Sequence, residues 1–151
     1  SADGFLINPA GAVFNIHNTE AGVACNYNSG GEFKNYGTVI KDTPKNVTFN
    51  SPASMTGGEM HLLAGLTTFM HNFPCTNSQL TVADGATLDF NNGTRIFTNS
   101  SLHSEGYVKM KNTDIFNVGC SVSFDTLHCY GSGGPTFHIP ISVPNLIMLG
   151  G

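Results

Sequence analysis

Carboxylates are the side chains of this chain that could carry acid–base chemistry, and two pairs are close in sequence. These are Asp84 with Asp89, and Glu105 with Asp114. Two carboxylates on one face can cleave a glycosidic bond. Asp84 and Asp89, however, are an odd number of residues apart, which places them on opposite faces of one continuous strand. We therefore expect solvated turn acids rather than a catalytic pair.

The histidines and serines also lack the spacing of a reactive site. Met60-His61 and Met70-His71 combine imidazole and thioether, which suits copper(I). No two histidines are two, three or four residues apart, so we expect no metal site. The segment Gly131-Ser132-Gly133-Gly134 lacks the Gly-x-Ser-x-Gly spacing of a nucleophile elbow and predicts a turn. No phosphate-binding loop or dinucleotide fingerprint is present. The sequence therefore predicts a protein that is not an enzyme and needs no cofactor.

Four cysteines, Cys25, Cys75, Cys120 and Cys129, form no Cys-x-x-Cys pair, which disfavours a tetrahedral zinc site. Their even number is compatible with disulfides. We expect Cys120 to bond to Cys129 across a short local loop, and Cys25–Cys75 then follows by elimination. The alternative is four buried thiols in a reducing compartment.

Three Asn-x-Ser/Thr sequons, at Asn46, Asn92 and Asn99, could carry N-linked glycans. Each lies in a segment typical of a turn or an exposed strand edge. Together with the even cysteine count they favour a secreted protein, extracellular or at a cell or virion surface. The chain starts at Ser1 without a charged and apolar leader, so we expect a processed or excised chain from which any signal peptide has already been removed.

The composition restricts the fold class to all-β. Gly, Asn, Thr and Ser together make up 61 of 151 residues, only 11% of residues are charged, and Trp is absent. Helical bundles and coiled coils need more Ala, Leu, Glu and Lys. A hydrophobic content of 40% with a net charge of −4 excludes a disordered chain. The few basic residues form no patch for nucleic acid. No apolar run is long enough to span a membrane.

Short apolar runs, separated by Gly, Asn, Asp or Pro, predict twelve strands within a single domain, residues 1–151. A marginal helical pattern over 58–70 competes with two of them. The predicted strands are 12–16, 32–40, 46–49, 59–63, 66–70, 79–82, 87–90, 95–98, 107–111, 114–118, 121–124 and 136–139.

A repeat explains how so many short strands could be arranged. Gly31, Gly58, Gly85 and Gly106 follow one another at intervals of 21 to 27 residues, and such a period indicates stacked supersecondary units. The matching all-β fold is a right-handed parallel β-helix, or β-solenoid, with these glycines at equivalent corners of successive turns. The alternative is an antiparallel β-sandwich or jelly roll. The phenylalanines expected to stack inside a solenoid are Phe14, Phe33, Phe49, Phe69, Phe90, Phe97, Phe116 and Phe124.

Three segments resemble the rungs of parallel β-helix surface and fibre proteins. Gly31–Val39 has the pattern Gly-x-Phe-x-Asn-x-Gly-Thr-Val, Val82–Leu88 has Val-x-x-Gly-Ala-Thr-Leu, and Ser104–Val108 resembles a following Gly-x-Val rung. Such rungs are typical of filamentous-haemagglutinin-like adhesins, polymorphic surface proteins, and phage tail spikes and fibres. The resemblance covers roughly residues 30–125. It implies a parallel β-helix and points to no single activity.

Both ends of the chain are apolar, although an isolated solenoid needs polar caps. The segments 1–16 and 139–151 are therefore expected to be caps or assembly contacts. We favour a tail that adds a strand to the next subunit near residues 12–16 over a tail that caps its own last turn. The tail residues proposed to make this contact are Ile139, Ile141, Val143, Leu146, Ile147, Met148 and Leu149.

Two functions are compatible with this sequence. The first is a secreted structural or adhesive subunit that forms a homo-oligomeric fibre by end-to-end or side-by-side contact. The second is a trimeric spike or receptor-binding module that recognises surface glycans. The tyrosines available for sugar stacking are Tyr27, Tyr36, Tyr107 and Tyr130. A third, less favoured hypothesis is a polysaccharide-degrading enzyme.

Overall fold

The computed structural model describes residues 5–17, 23–25, 31–111, 113–131 and 133–150. Within these ranges the chain is all-β, contains no helix, and winds into a parallel β-solenoid of about six turns. The strands are β1 (Phe5–Asn8), β2 (Val13–Ile16), β3 (Val23–Cys25), β4 (Glu32–Asn35), β5 (Thr38–Lys41), β6 (Val47–Phe49), β7 (Ala53–Thr56), β8 (Glu59–Leu62), β9 (Gly65–Phe69), β10 (Cys75–Thr76), β11 (Gln79–Val82), β12 (Ala86–Phe90), β13 (Arg95–Thr98), β14 (Ser101–Met110), β15 (Asp114–Phe116), β16 (Ser121–Gly131), β17 (Thr136–Phe137) and β18 (Asn145–Gly150).

The strands form three faces around one core. Face 1 is a sheet in the order β1-β4-β7-β10-β13-β15-β17. Face 2 contains β2, β5, β8 and β11, and face 3 contains β3, β6, β9 and β12. The long strands β14 and β16 belong to both faces, because each continues around the corner between them, and β18 completes face 3.

The sandwich alternative is excluded because every strand pair is parallel. Phe5 lies opposite Glu32, Gln79 opposite Glu59, and Arg95 opposite Asp114. One turn therefore takes between 19 and 27 residues, slightly shorter at the lower limit than the predicted 21. Each of the twelve predicted strands overlaps an observed one, and the marginal helix over 58–70 is instead β8 and β9.

A phenylalanine stack runs through the core, as predicted. Phe49 and Phe69 occupy equivalent positions in successive turns and stack with ring centroids 4.7 Å apart, and Phe33, in the same turn as Phe49, stacks on it at 5.8 Å. Phe97, Phe116 and Phe137 stack at 4.4 and 4.9 Å. Every predicted member joins this continuous stack, and Phe73 and Phe137 extend it. The inward strand positions are thus filled by rings that contact their equivalents one turn away.

The prediction that Gly31, Gly58, Gly85 and Gly106 occupy equivalent corners of successive turns is wrong. Gly31 precedes β4 at the corner from face 3 to face 1, and Gly58 lies between β7 and β8 at the corner from face 1 to face 2. Only Gly85 and Gly106 share a corner, the one from face 2 to face 3. The intervals of 27 residues exceed the turn length of about 20 in this region, so each such interval advances the chain to a different corner.

The corner between faces 1 and 2 holds small residues at equivalent positions instead. The amide of Glu59 donates to Gly37 O at 2.8 Å, and that of Gln79 donates to Gly58 O at 3.0 Å. A Cβ on Gly58 would lie 2.8 Å from Gly37 O, so the close approach requires glycine. In the next two turns Asn77 and Asn99 adopt positive φ at this corner, 49° and 47°, a conformation that asparagine tolerates.

The predicted disulfides are also wrong, because Cys75, Cys120 and Cys129 are free thiols. Cys120 lies just before β16 and Cys129 lies within it. A strand advances about 3.3 Å per residue, so nine residues hold these Cα atoms beyond the roughly 7 Å that a disulfide spans. Cys75 is buried on face 1, and with its thiol free the Cys25–Cys75 bond is not formed. Burial raises the pKa of the Cys75 and Cys129 thiols.

Candidate functional site

The tail forms the last turn of its own solenoid. β18 pairs with β16, with Leu127 opposite Leu146 and Cys129 opposite Met148. The strand pairing that we expected with the next subunit is thus made within the chain. Leu127 and Cys129 are buried core residues, so Leu146 and Met148 continue the same inward-facing rows. They are nevertheless 55% and 68% exposed, because no further described strand covers them.

The remaining tail residues divide between the core and solvent. Ile139 and Val143 pack against the core, whereas Ile141, Ile147 and Leu149 are exposed. The tail therefore supplies part of its own turn and leaves an apolar surface at the end of the solenoid.

The opposite end of the solenoid is also apolar. Phe5 and Ile7 on β1 and Val13 on β2 are exposed, and the inward-facing Leu6 and Phe14 are only partly buried. Each of β1 and β2 pairs on one side only, with β4 and β5 respectively. The first turn therefore presents free strand edges and apolar side chains, as the last turn does.

Polar side chains on the outer side of face 2 pair between successive turns. His61 Nδ1 lies 2.8 Å from Thr81 Oγ1, and its Nε2 lies 3.2 Å from Glu59 Oε2. His103 contacts Ser123 Oγ in the same way, and Glu105 lies 3.9 Å from its other ring nitrogen. Sequence reasoning missed the contacts of His61 with Thr81 and of His103 with Ser123, because each joins residues 20 positions apart. Only the length of one turn could have paired them.

Face 3 brings together two of the four tyrosines suggested for sugar stacking. Tyr107 Oη lies 2.9 Å from His128 Nδ1, and the His128 and Tyr130 rings are 5.3 Å apart. Tyr130 donates a hydrogen bond to Asp89 at 2.8 Å. Burial, and then this contact with Asp89, raise the pKa of Tyr130 above its ordinary value. Both rings are thus half-buried and held by neighbouring turns. Tyr36 is exposed elsewhere, and Tyr27 lies outside the described residues.

The acid pairs considered from sequence do not assemble. Asp84 is exposed at a turn and Asp89 is buried beside Tyr130. Glu105 is exposed on face 2, whereas Asp114 is fully buried in the core with Arg95 Nη1 3.4 Å away. Burial raises the pKa of Asp114 to about 7, and the nearby Arg95 opposes this shift.

The other reactive groups considered from sequence form no cluster in the described ranges. No group of three or more His, Cys, Asp or Glu side chains there could hold a metal ion. Ser132 lies outside the described residues. The sequon asparagines Asn46, Asn92 and Asn99 are all exposed between strands.

No family model matches this chain, and the searches of curated proteins and solved structures found no match to it. Among the described residues, no helix is long and apolar enough to cross a membrane.

Proposed function

We propose that this protein is a structural or adhesive subunit that stacks end to end into an extracellular fibre. The observation that carries this proposal is the exposure of Leu146 and Met148 at core-facing positions of the last turn. Such positions are buried in every complete turn of a solenoid. A second copy placed on this end would bury them, at roughly 1.5–3 kcal/mol for each fully buried side chain.

The two ends are suited to each other because all strands are parallel. The free edge of the last turn has the same strand direction as the edge that the first turn would offer from a second copy. Backbone hydrogen bonds could then continue across the contact, as they do between turns within the chain. A contact between two different surfaces of one chain is heterologous, so it propagates into a filament unless it closes into a ring.

The proposed location is outside the cell or on a cell or virion surface. Its support is limited to Asn46 and Asn92, whose exposed positions between strands would accept glycans without disturbing the core. The third sequon residue, Asn99, lines a groove on the outside of the solenoid, and the glycan-binding role described next requires it to be unmodified. In this role the protein works by assembly and surface presentation, without catalysing a reaction.

A second candidate function is recognition of surface glycans. The observation that favours it is a pair of open grooves, one at the corner between faces 1 and 2 and one along face 2, whose lining includes hydroxyl, amide and carboxylate side chains. This function is compatible with fibre formation, because the grooves lie along the side of the solenoid and the apolar surfaces lie at its ends.

The assembly proposal is tested by placing a charge on the exposed end. We expect the wild-type protein to form large species and Met148→Lys to sediment as a monomer, because a buried lysine at the contact would be unpaired. Val118→Lys is the matched control, since Val118 is an exposed apolar residue on a side corner. Sedimentation velocity measures the outcome. A wild-type protein that stays monomeric, or variants that behave alike, would contradict the proposal.

A further inference from the structure

The two grooves have similar size and lie side by side along strands β14 and β16. The first has a volume of about 310 Å³ and is lined by residues that include His103, Glu105, Ser123, Asp125 and Pro144. The second has a volume of about 300 Å³. Its lining includes Asn77, Gln79, Asn99, Ser101 and Ser121.

The strand register makes the grooves neighbours. Ser101 lies opposite Ser121, and His103 lies opposite Ser123. On β14, Ser101 of the second groove is two positions before His103 of the first. On β16, Ser121 of the second groove is two positions before Ser123 of the first. Residues two apart on a strand share a face and are about 7 Å apart. One extended ligand lying along these strands could therefore contact both grooves.

The chemistry of the lining selects a polar ligand without negative charge. The amides of Asn77 and Gln79 and the hydroxyl of Ser121 can both donate and accept hydrogen bonds. No lysine or arginine lines either groove, and the carboxylates of Glu105 and Asp125 disfavour an anion. The exposed Pro144 adds apolar surface to the first groove, where the C–H face of a sugar ring could pack.

We propose that this surface binds a short neutral oligosaccharide that lies along β14 and β16 and occupies both grooves. The proposal rests on the second function above, glycan recognition, and is independent of end-to-end stacking. Hydroxyl groups of the sugar exchange hydrogen bonds with the amides and serines of the second groove. The carboxylates of Glu105 and Asp125 in the first groove accept hydrogen bonds from the remaining hydroxyls, and the ring of His103 can accept or donate.

The test uses an immobilised panel of maltotetraose, tetra-N-acetylchitotetraose, lacto-N-neotetraose and sialylated lacto-N-neotetraose. Binding is measured by biolayer interferometry. We expect at least one neutral member to bind, and the sialylated sugar to bind more weakly than its neutral parent. Ser121→Ile removes a hydroxyl and fills the second groove while favouring a strand, so it should weaken binding about tenfold or more.

Thr38→Ile is the matched control. Thr38 belongs to the same outward row as Ser121, through Glu59, Gln79 and Ser101, but lies outside both grooves. We expect it to bind like the wild type. Gln79→Ala provides a second variant if Ser121→Ile does not fold, and it should weaken binding in the same direction.

The outcomes separate the two proposals. If no neutral member binds, both glycan recognition and this site are wrong. If a sugar binds and neither groove variant weakens it, or if the sialylated form binds best, this site is wrong and glycan recognition remains. Sedimentation of Ser121→Ile should match the wild type, so the fibre proposal is judged independently.

Discussion

Arg95 and Asp114 form a buried ion pair inside the solenoid. Both side chains have no exposed surface, and the guanidinium also donates to Gly93 O at 2.8 Å and Phe69 O at 3.2 Å. Its carbon lies 4.9 Å from the centre of the Phe90 ring. Neither Asp114 oxygen accepts a hydrogen bond from the described residues. Arg95 is thus better satisfied than its partner, and the carboxylate bears most of the cost of burial.

Asp114 should make the free energy of unfolding depend on pH. Its pKa of about 7 in the folded protein exceeds the ordinary value of 3.8, so between these values the folded state holds a proton that the unfolded state has lost. The stability from this group is fully present below about pH 4 and is lost as the pH rises through about 7, by at most about 1.4 kcal/mol per pH unit.

The measurement is urea unfolding of the wild type and Asp114→Asn across this range, since asparagine does not titrate. We expect the wild type to lose stability relative to Asp114→Asn as the pH rises. Asp125→Asn, which removes an exposed carboxylate and keeps Asp114, should lose stability with rising pH as the wild type does. A difference between wild type and Asp114→Asn that stays constant with pH would contradict the raised pKa.

At the scale of the element, the corners rather than the strands restrict the sequence. β14 turns from face 2 to face 3 at an irregularity between Ser104 and Tyr107. Gly106 lies there, and a Cβ on it would be 2.4 Å from both Ala83 O and Ala86 O. The neighbouring atoms are backbone, so the turns would have to separate to accept a side chain.

We therefore expect Gly106→Ala to lower the free energy of unfolding by about 1–3 kcal/mol. Gly134→Ala is the control, because a Cβ there meets no atom within 4 Å. Thermal and urea unfolding followed by circular dichroism measure both. Equal stability of the two variants would show that the close approach at this corner is relieved without cost.

Most strands were predictable because they carry a local signal. In Gln79–Val82, the polar Gln79 and Thr81 alternate with the buried apolar Leu80 and Val82, and this pattern needs no knowledge of the partner strand. The phenylalanines could be assigned to the core on the same ground. Strands β1, β3, β7, β10 and β18 were not predicted. β10, only two residues long, carries no such local signal.

The corners, the polar pairs and the thiols were not predictable in this way. Turn length varies along the chain, so the spacing of Gly31 and Gly58 did not show which corner each occupies. The contact between Tyr130 and Asp89 joins residues 41 positions apart, and no local pattern marks it. The predicted Cys120–Cys129 disulfide is wrong because the segment after Cys120 is a strand, whereas the bridge required a loop.

At the scale of the whole molecule, the described residues of the solenoid include no polar cap at either end of the stack of turns. The first turn leaves the inward-facing Leu6 and Phe14 only partly buried, and the last exposes the inward-facing Leu146 and Met148. The phenylalanine stack reaches from Phe14 in the first turn to Phe137 in the last. The interior that holds the turns together thus continues to both ends, where a further copy would extend it.

Fibre diffraction from aligned wild-type protein tests this account most directly. Stacking in continuous register predicts a reflection at about 4.8 Å along the fibre axis, since each turn adds one strand spacing. It also predicts an axial subunit repeat of roughly 30 Å, from about six turns at that spacing. Fibres whose 4.8 Å reflection lies perpendicular to the axis, or protein that forms no fibres at all, would contradict end-to-end assembly.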